Sequence, residues 1–74
     1  MKAIVYSKDV CPYCVQAKRI LELKEIPYEE RLLGRDYTRE ELLQIAPGAR
    51  TVPQIFIDDK RIGGFTELRN YLGM

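Results

Sequence analysis

The 74-residue sequence contains no histidine, no tryptophan and only two cysteines. Its 12 basic and 11 acidic side chains give a net charge of +1, so no broad basic field indicates a nucleic-acid partner. No apolar run approaches the length of a membrane span, and the N-terminal apolar run is too short for a secretory signal. We therefore expect one small cytosolic domain, residues 1–74, that binds neither nucleic acid nor membrane.

The two cysteines, Cys11 and Cys14, lie within the stretch KDVCPYC. A disulfide between them would close a very short loop and remove little entropy from the unfolded chain, so it would be a weak structural staple. In the cytosol, a close cysteine pair is more typical of catalysis or metal binding than of a structural disulfide. A structural zinc site usually needs four ligands, which one pair without histidine supplies only if two chains share the metal. The pair therefore favours thiol chemistry, with a shared metal site as the main alternative.

The residue pattern predicts seven elements in the order β-α-β-α-β-β-α. The strands are predicted at residues 2–7, 28–33, 52–57 and 60–62, and the helices at residues 12–25, 39–46 and 67–72. Pro12 suits the first turn of a helix because its missing N–H is not needed there. Thr38 and Glu41 are spaced as a capping box, and Thr66 is predicted to cap the last helix. The order predicts an α/β fold, with one mixed four-stranded sheet flanked by three helices.

The positions of the two cysteines on the first predicted helix indicate different surroundings for the two thiols. Cys11 lies at its start, where free N–H groups and the helix dipole stabilise a thiolate and lower its pKa. Helical spacing predicts an apolar side formed by Cys14, Ala17, Ile20 and Leu21. The solvent side is predicted to carry Lys18, Arg19 and Glu22. Cys11 is therefore the predicted nucleophile of thiol–disulfide exchange, and the more buried Cys14 is the predicted resolving thiol.

Three segments, KDVCPYC, RTVPQIFID and RIGGFTEL, together resemble the dithiol glutaredoxins of the thioredoxin fold, and the resemblance covers nearly the whole chain. Pro12-Tyr13 between the cysteines is the glutaredoxin form, whereas thioredoxins usually carry Gly-Pro there, with tryptophan before the first cysteine. The resemblance implies a monomeric oxidoreductase that reduces protein disulfides and glutathione mixed disulfides. It also implies glutathione as the cosubstrate, with no metal and no tightly bound cofactor.

The same resemblance implies a glutathione site. Its residues are Lys8 at the glycine carboxylate, Tyr13 beside the active sulfur, Thr51, Val52 and Pro53 along the peptide, and Gly63, Gly64, Thr66 and Glu67 at the γ-glutamyl end. The resemblance further implies a cis bond before Pro53. Lys8 and Arg50 are equally well explained as solvated side chains. Arg39, Glu40 and Arg50 are the candidates for further contacts to the glycine carboxylate, which a glutamate would repel.

Three other functions remain open from the sequence. A redoxin of the same fold takes electrons from thioredoxin reductase and serves ribonucleotide reductase, although GGFTEL and Lys8 favour glutathione. An iron–sulfur carrier bridges a cluster between two chains through Cys11 and glutathione, although Pro12 and the second thiol disfavour it. A non-enzymatic domain could retain the fold, but the intact cysteine pair argues against that interpretation.

Overall fold

The structure, a computed structural model, describes residues 1–74 and contains four strands and three helices. The strands are β1 (Ala3–Ser7), β2 (Tyr28–Leu32), β3 (Gln54–Ile57) and β4 (Lys60–Gly63), and the helices are α1 (Pro12–Leu23), α2 (Arg39–Ile45) and α3 (Phe65–Tyr71). No helix is long and apolar enough to cross a membrane. The element order is the predicted one.

The four strands form one mixed sheet in the order β2-β1-β3-β4. β1 and β2 are parallel, with Ala3 opposite Tyr28 and Ser7 opposite Leu32. β3 runs antiparallel to both β1 and β4. The predicted fold class is therefore confirmed. The crossover from β1 to β2 runs through α1, which places the cysteine pair just beyond the carboxyl end of β1.

Alternating side chains divide the core between the two faces of the sheet. One face packs against α1 and α3 through Ala3, Val5, Ala17, Ile20, Leu21, Ile26, Ile55, Ile57 and Leu68. The other face packs against α2 through Tyr6, Tyr37, Leu42 and Ala46. The Tyr37 hydroxyl donates a 2.7 Å hydrogen bond to the Ser7 carbonyl oxygen, which ties the segment before α2 to the end of β1.

Three predicted element ends are wrong by two residues: the end of α1, the start of β3 and the start of α3. α1 ends at Leu23 rather than Glu25, because Glu25 adopts a left-handed backbone with a φ of 57°. β3 begins at Gln54 rather than Val52, because Pro53 has no N–H to donate to a sheet ladder. The Val52–Pro53 peptide bond is cis. The bounds of β1, β2, α2 and β4 each differ from the prediction by one residue.

At the start of α3, the predicted cap is wrong as well as the first residue. The helix begins at Phe65 with Gly64 as its N-cap, so Thr66 lies inside the first turn and is not the cap. Glu67 explains the earlier start, because its carboxylate oxygen Oε1 accepts a 2.7 Å hydrogen bond from the Gly64 N–H. This contact supplies the glutamate half of a capping box without a side chain at the cap.

Candidate active site

The cysteine pair lies at the N-terminal end of α1. Cys11 is the N-cap, Pro12 is the first helical residue, and the two cysteines are joined as a disulfide with Cα atoms 5.2 Å apart. The Cys14 N–H donates to Cys11 Sγ at 3.2 Å. Cys11 is 8% exposed and Cys14 is 2% exposed. The helix start therefore offers an N–H group to the first sulfur, while the second lies deeper in the protein.

The segment that contains the cis peptide bond lies against the first sulfur. The Val52 carbonyl oxygen is 3.8 Å from Cys11 Sγ. The Thr51 carbonyl oxygen accepts a 3.0 Å hydrogen bond from Gln54 Nε2, which holds the loop against the start of β3. Neither backbone group of Val52 takes part in a backbone hydrogen bond. Val52 can therefore pair with an extended peptide laid beside Cys11.

One cleft runs from this segment to the start of α3. It has a volume of about 200 Å³ and is lined by Tyr13, residues 51–53 and residues 64–67. A Cβ atom at Gly64 would lie 3.1 Å from Glu67 Oε1, closer than an ordinary contact, and 3.5 Å from the Pro53 carbonyl oxygen, an ordinary van der Waals distance. Gly63 has a φ of 120°, a conformation that favours glycine. The predicted residues Tyr13, Thr66 and Glu67 are thus brought together with the cis-proline segment.

A second cleft, of about 130 Å³, continues on the other side of Thr51 and Val52, which line both clefts. Its walls carry the cations Lys8, Arg39 and Arg50 beside apolar side chains of α2 and its neighbouring loops. None of the three cations belongs to an ion pair. The sequence offered four candidates for a contact to the glycine carboxylate. This cleft brings together three of them, Lys8, Arg39 and Arg50, and Glu40 does not line it.

Two aromatic rings stand at the rim of the first cleft. Tyr13 is 59% exposed, and its ring centroid lies 5.5 Å from that of Phe65 in a tilted arrangement. Phe65 also packs against the main core cluster. It lines the cleft as well. The stacked rings give the cleft an apolar wall beside the cysteine pair.

Sequence reasoning missed the polar group behind the cysteines. Lys18 was predicted on the solvent side of α1, which is wrong, because its Nζ lies 2.6 Å from Oε2 of Glu30 on β2. The Ser7 hydroxyl donates to the same carboxylate oxygen at 2.8 Å. The hydrogen bond from Lys18 is the main cause that lowers the pKa of Glu30 below its ordinary value. The spacing could have indicated this position, because Lys18 follows Cys14 by four residues and therefore lies on the same side of the helix as Cys14.

A C-x-x-C pair at the start of a helix, directly beside a cis-proline loop on a four-stranded mixed sheet, defines a thioredoxin-fold protein with a dithiol site. No group of three or more histidine, cysteine or acidic side chains is arranged to hold a metal ion.

The comparisons with known proteins specify the family. The family model described as Glutaredoxin matches residues 3–62, so the chain belongs to the glutaredoxin family. It is 41% identical over 70 residues to Glutaredoxin 1 of Rickettsia typhi, covering 90% of this chain and 66% of that protein. It is 43% identical over 65 residues to Glutaredoxin 3 of Escherichia coli, covering 86% and 77%. The crystal structure of a buckwheat glutaredoxin–glutathione complex superposes with a TM-score of 0.80 at 31% identity, covering 96% and 69%.

Proposed function

We propose that this protein is a glutathione-dependent thiol–disulfide oxidoreductase that reduces glutathione mixed disulfides and protein disulfides. The observation that carries the proposal is the position of Cys11 Sγ at the start of α1, 3.8 Å from the Val52 carbonyl oxygen. Val52 lines both clefts, so a peptide paired with it passes directly beside the sulfur. The chain spans 66% of the length of the Rickettsia typhi relative, and the proposal concerns the chemistry of this chain alone.

The reaction begins with the two thiols reduced. The Cys11 thiolate, stabilised by the helix start and the Cys14 N–H, attacks the substrate disulfide and forms a mixed disulfide. The departing sulfur takes the electron pair and a proton from solvent. Either a second glutathione or the Cys14 thiolate then attacks Cys11 Sγ and releases the group bound there. Attack by Cys14 forms the Cys11–Cys14 disulfide that the structure contains.

The two clefts suit the two ends of glutathione. Its cysteine pairs in extended form with the backbone of Val52, as in strand addition. Its glycine carboxylate lies in the cleft of Lys8, Arg39 and Arg50, whose unpaired charges attract an anion. Its γ-glutamyl end occupies the cleft lined by Gly64, Thr66 and Glu67. The buckwheat glutaredoxin, whose structure is a complex with glutathione, supports this choice of ligand. No tightly bound cofactor is needed, because the two thiols carry the electrons.

The test follows NADPH oxidation with a glutathionylated peptide as substrate. One arm supplies glutathione and glutathione reductase, and the other supplies thioredoxin reductase alone. Wild type, Cys14→Ser and Cys11→Ser are compared. We expect activity in the glutathione arm for wild type and Cys14→Ser, and none for Cys11→Ser, since only the first thiol performs the initial attack. Activity confined to the thioredoxin reductase arm would overturn the glutathione site and move the protein to the other redoxin class.

A further inference from the structure

The second cleft, which carries Lys8, Arg39 and Arg50, is larger and more apolar than a glycine carboxylate requires. Its volume is about 130 Å³, whereas a cavity holds one water molecule in about 10–15 Å³ of such space. Six of its ten lining residues are hydrophobic. A glycine brings a carboxylate to the three cations but has no side chain, so it leaves the apolar walls of the cleft uncovered.

Two leucines on the walls of this cleft are partly open to solvent. Leu33, directly after β2, is 42% exposed, and Leu43 on α2 is 41% exposed. Leu42 and Tyr37 also line the cleft but are buried, and the Tyr37 hydroxyl is already engaged with the Ser7 carbonyl oxygen. A ligand side chain that covers the two exposed leucines would remove apolar surface from water, which favours its binding.

The backbone of Val52 determines which residue of a substrate reaches this cleft. Val52 lies beside Cys11 Sγ, makes no backbone hydrogen bond and lines both clefts. In the proposed function the cysteine of the substrate pairs with Val52, and the chain before that cysteine occupies the first cleft. Successive residues of an extended peptide are about 3.3 Å apart. The residue after the cysteine therefore lies in the second cleft, together with its carboxylate when that residue ends the chain.

We propose that the second cleft selects disulfides in which the bound cysteine is followed by one bulky apolar residue that carries the terminal carboxylate. The apolar side chain covers Leu33 and Leu43, and the carboxylate lies among the three cations. The inference rests on the proposed function and deepens it, because it names a substrate class beyond glutathione. The chemistry is unchanged: the Cys11 thiolate bonds to the sulfur of this cysteine, the substrate S–S bond breaks, and the departing sulfur takes the electron pair and then a proton from solvent.

The experiment compares substrates that differ at one residue. Glutathione (γ-Glu-Cys-Gly), γ-Glu-Cys-Leu and γ-Glu-Cys-Ser are each joined by a disulfide to the same reporter peptide. Each substrate is mixed with reduced wild-type protein below saturation, and the second-order rate constant for release of the reporter thiol measures attack by Cys11. The reaction of each substrate with dithiothreitol alone corrects for differences in intrinsic reactivity.

The leucine substrate should react fastest. We expect its rate constant to exceed that of the glutathione substrate about tenfold, the lower end of what an apolar group gains in an apolar pocket. The serine substrate should react at about the glutathione rate, because a hydroxyl gains nothing from leucine walls. Amidation of the terminal carboxylate should slow the leucine substrate, because the amide no longer attracts the three cations. A serine substrate as fast as the leucine substrate, or an amide as fast as the acid, would overturn the inference.

Variants of the cleft wall test where the apolar side chain binds. Leu43→Ser and Leu33→Ser each remove apolar surface, and each should lower the ratio of the leucine to the glutathione rate constant toward one. Ile45→Ser is the matched control, because Ile45 is an equally exposed residue of α2 that does not line the cleft, and it should keep the wild-type ratio. The ratio does not depend on how much of a variant is folded, since both substrates react with the same active fraction. A ratio that neither leucine variant lowers would place the side chain elsewhere and overturn the inference.

The remaining outcomes distinguish this inference from the proposed function. A wild-type protein that attacks the leucine and glutathione substrates at equal rates would overturn the inference, while the glutathione chemistry of Cys11 would stand. A wild-type protein that releases no reporter thiol from any of the three substrates would instead contradict the proposed function itself.

Discussion

Val10, the residue directly before Cys11, adopts a backbone conformation that its side chain disfavours. Its φ is 52°, and its side chain is 95% exposed. A left-handed conformation costs about 1–2 kcal/mol for an ordinary L-residue. Because the side chain makes no buried contacts that would repay this cost, the strain is set by the connection between β1 and α1.

Replacing Val10 should therefore stabilise the protein. We expect Val10→Asn to raise the free energy of unfolding by about 1 kcal/mol, since asparagine tolerates the left-handed region. Urea unfolding of the oxidised protein measures the change. Val15→Asn is the matched control, because Val15 is also exposed but lies within α1, where asparagine brings no such gain. A Val10→Asn protein no more stable than wild type would show that the loop is not strained at this residue.

Local sequence was sufficient to place the two cysteines but not Lys18. Proline at the first helical position and the three-residue spacing of the pair are signals within one turn of helix, and the structure agrees with both. The partner of Lys18 lies on β2, and the sequence does not show which strand passes beside α1. A side chain at the boundary between the apolar and polar sides of a helix is therefore the kind most easily assigned to solvent.

Among the elements, α1 and β2 are joined by a contact that depends on pH. Lys18 lowers the pKa of Glu30, so the folded protein binds a proton at this carboxylate less readily than the unfolded chain. The ion pair therefore stabilises the fold above the ordinary carboxylate pKa of 4.5, and this stability is lost as the pH falls through the lower folded value.

We expect Glu30→Gln to be less stable than wild type at neutral pH by about 1 kcal/mol or less, as befits a partly exposed pair. This difference should disappear in strongly acidic buffer, where the wild-type carboxylate is protonated. Urea unfolding of both proteins across the acid range gives the measurement. A stability difference that stays constant with pH would show that Glu30 contributes through packing alone.

Whether a segment is a helix or a strand was predictable, because the residue pattern within the segment indicates its type. The residues at which it begins and ends depended on contacts with other parts of the fold. The capping box of Thr38 and Glu41 is present in the structure as predicted, and α2 begins where it indicates. The last helix began two residues early because Glu67 caps it from within, so the more obvious cap, Thr66, was misleading. A glutamate three residues after a glycine was the signal that sequence reasoning overlooked.

At the scale of the whole molecule, the site is assembled from segments far apart in the chain. Lys8 follows β1, Arg39 begins α2, and Arg50 precedes the cis-proline segment, yet all three line one cleft. The resemblance to glutaredoxins indicated Lys8 and left the choice among Arg39, Glu40 and Arg50 open. In the fold, Arg39 at the start of α2 and Arg50 in the loop before Thr51 both line the cleft, and Glu40 does not.

This cationic cleft predicts a salt-dependent affinity. We expect the KM for a glutathionylated peptide to rise with ionic strength while kcat changes little, because salt screens exposed charges from a carboxylate. A triple variant, Lys8→Gln with Arg39→Gln and Arg50→Gln, should have a higher KM and a weaker dependence on salt. Arg19→Gln, an exposed arginine on α1, is the control. An equally steep salt dependence in the triple variant would place the anion elsewhere.

The helix start should activate Cys11 while burial protects Cys14, and alkylation of the reduced protein measures this difference in reactivity. Reduced protein is treated with a limiting amount of iodoacetamide at neutral pH, and the modified cysteine is identified by peptide mass spectrometry. We expect Cys11 to be modified first, with Cys14 reacting only after unfolding or at alkaline pH. Modification of Cys14 first, or of neither thiol at neutral pH, would contradict this expectation.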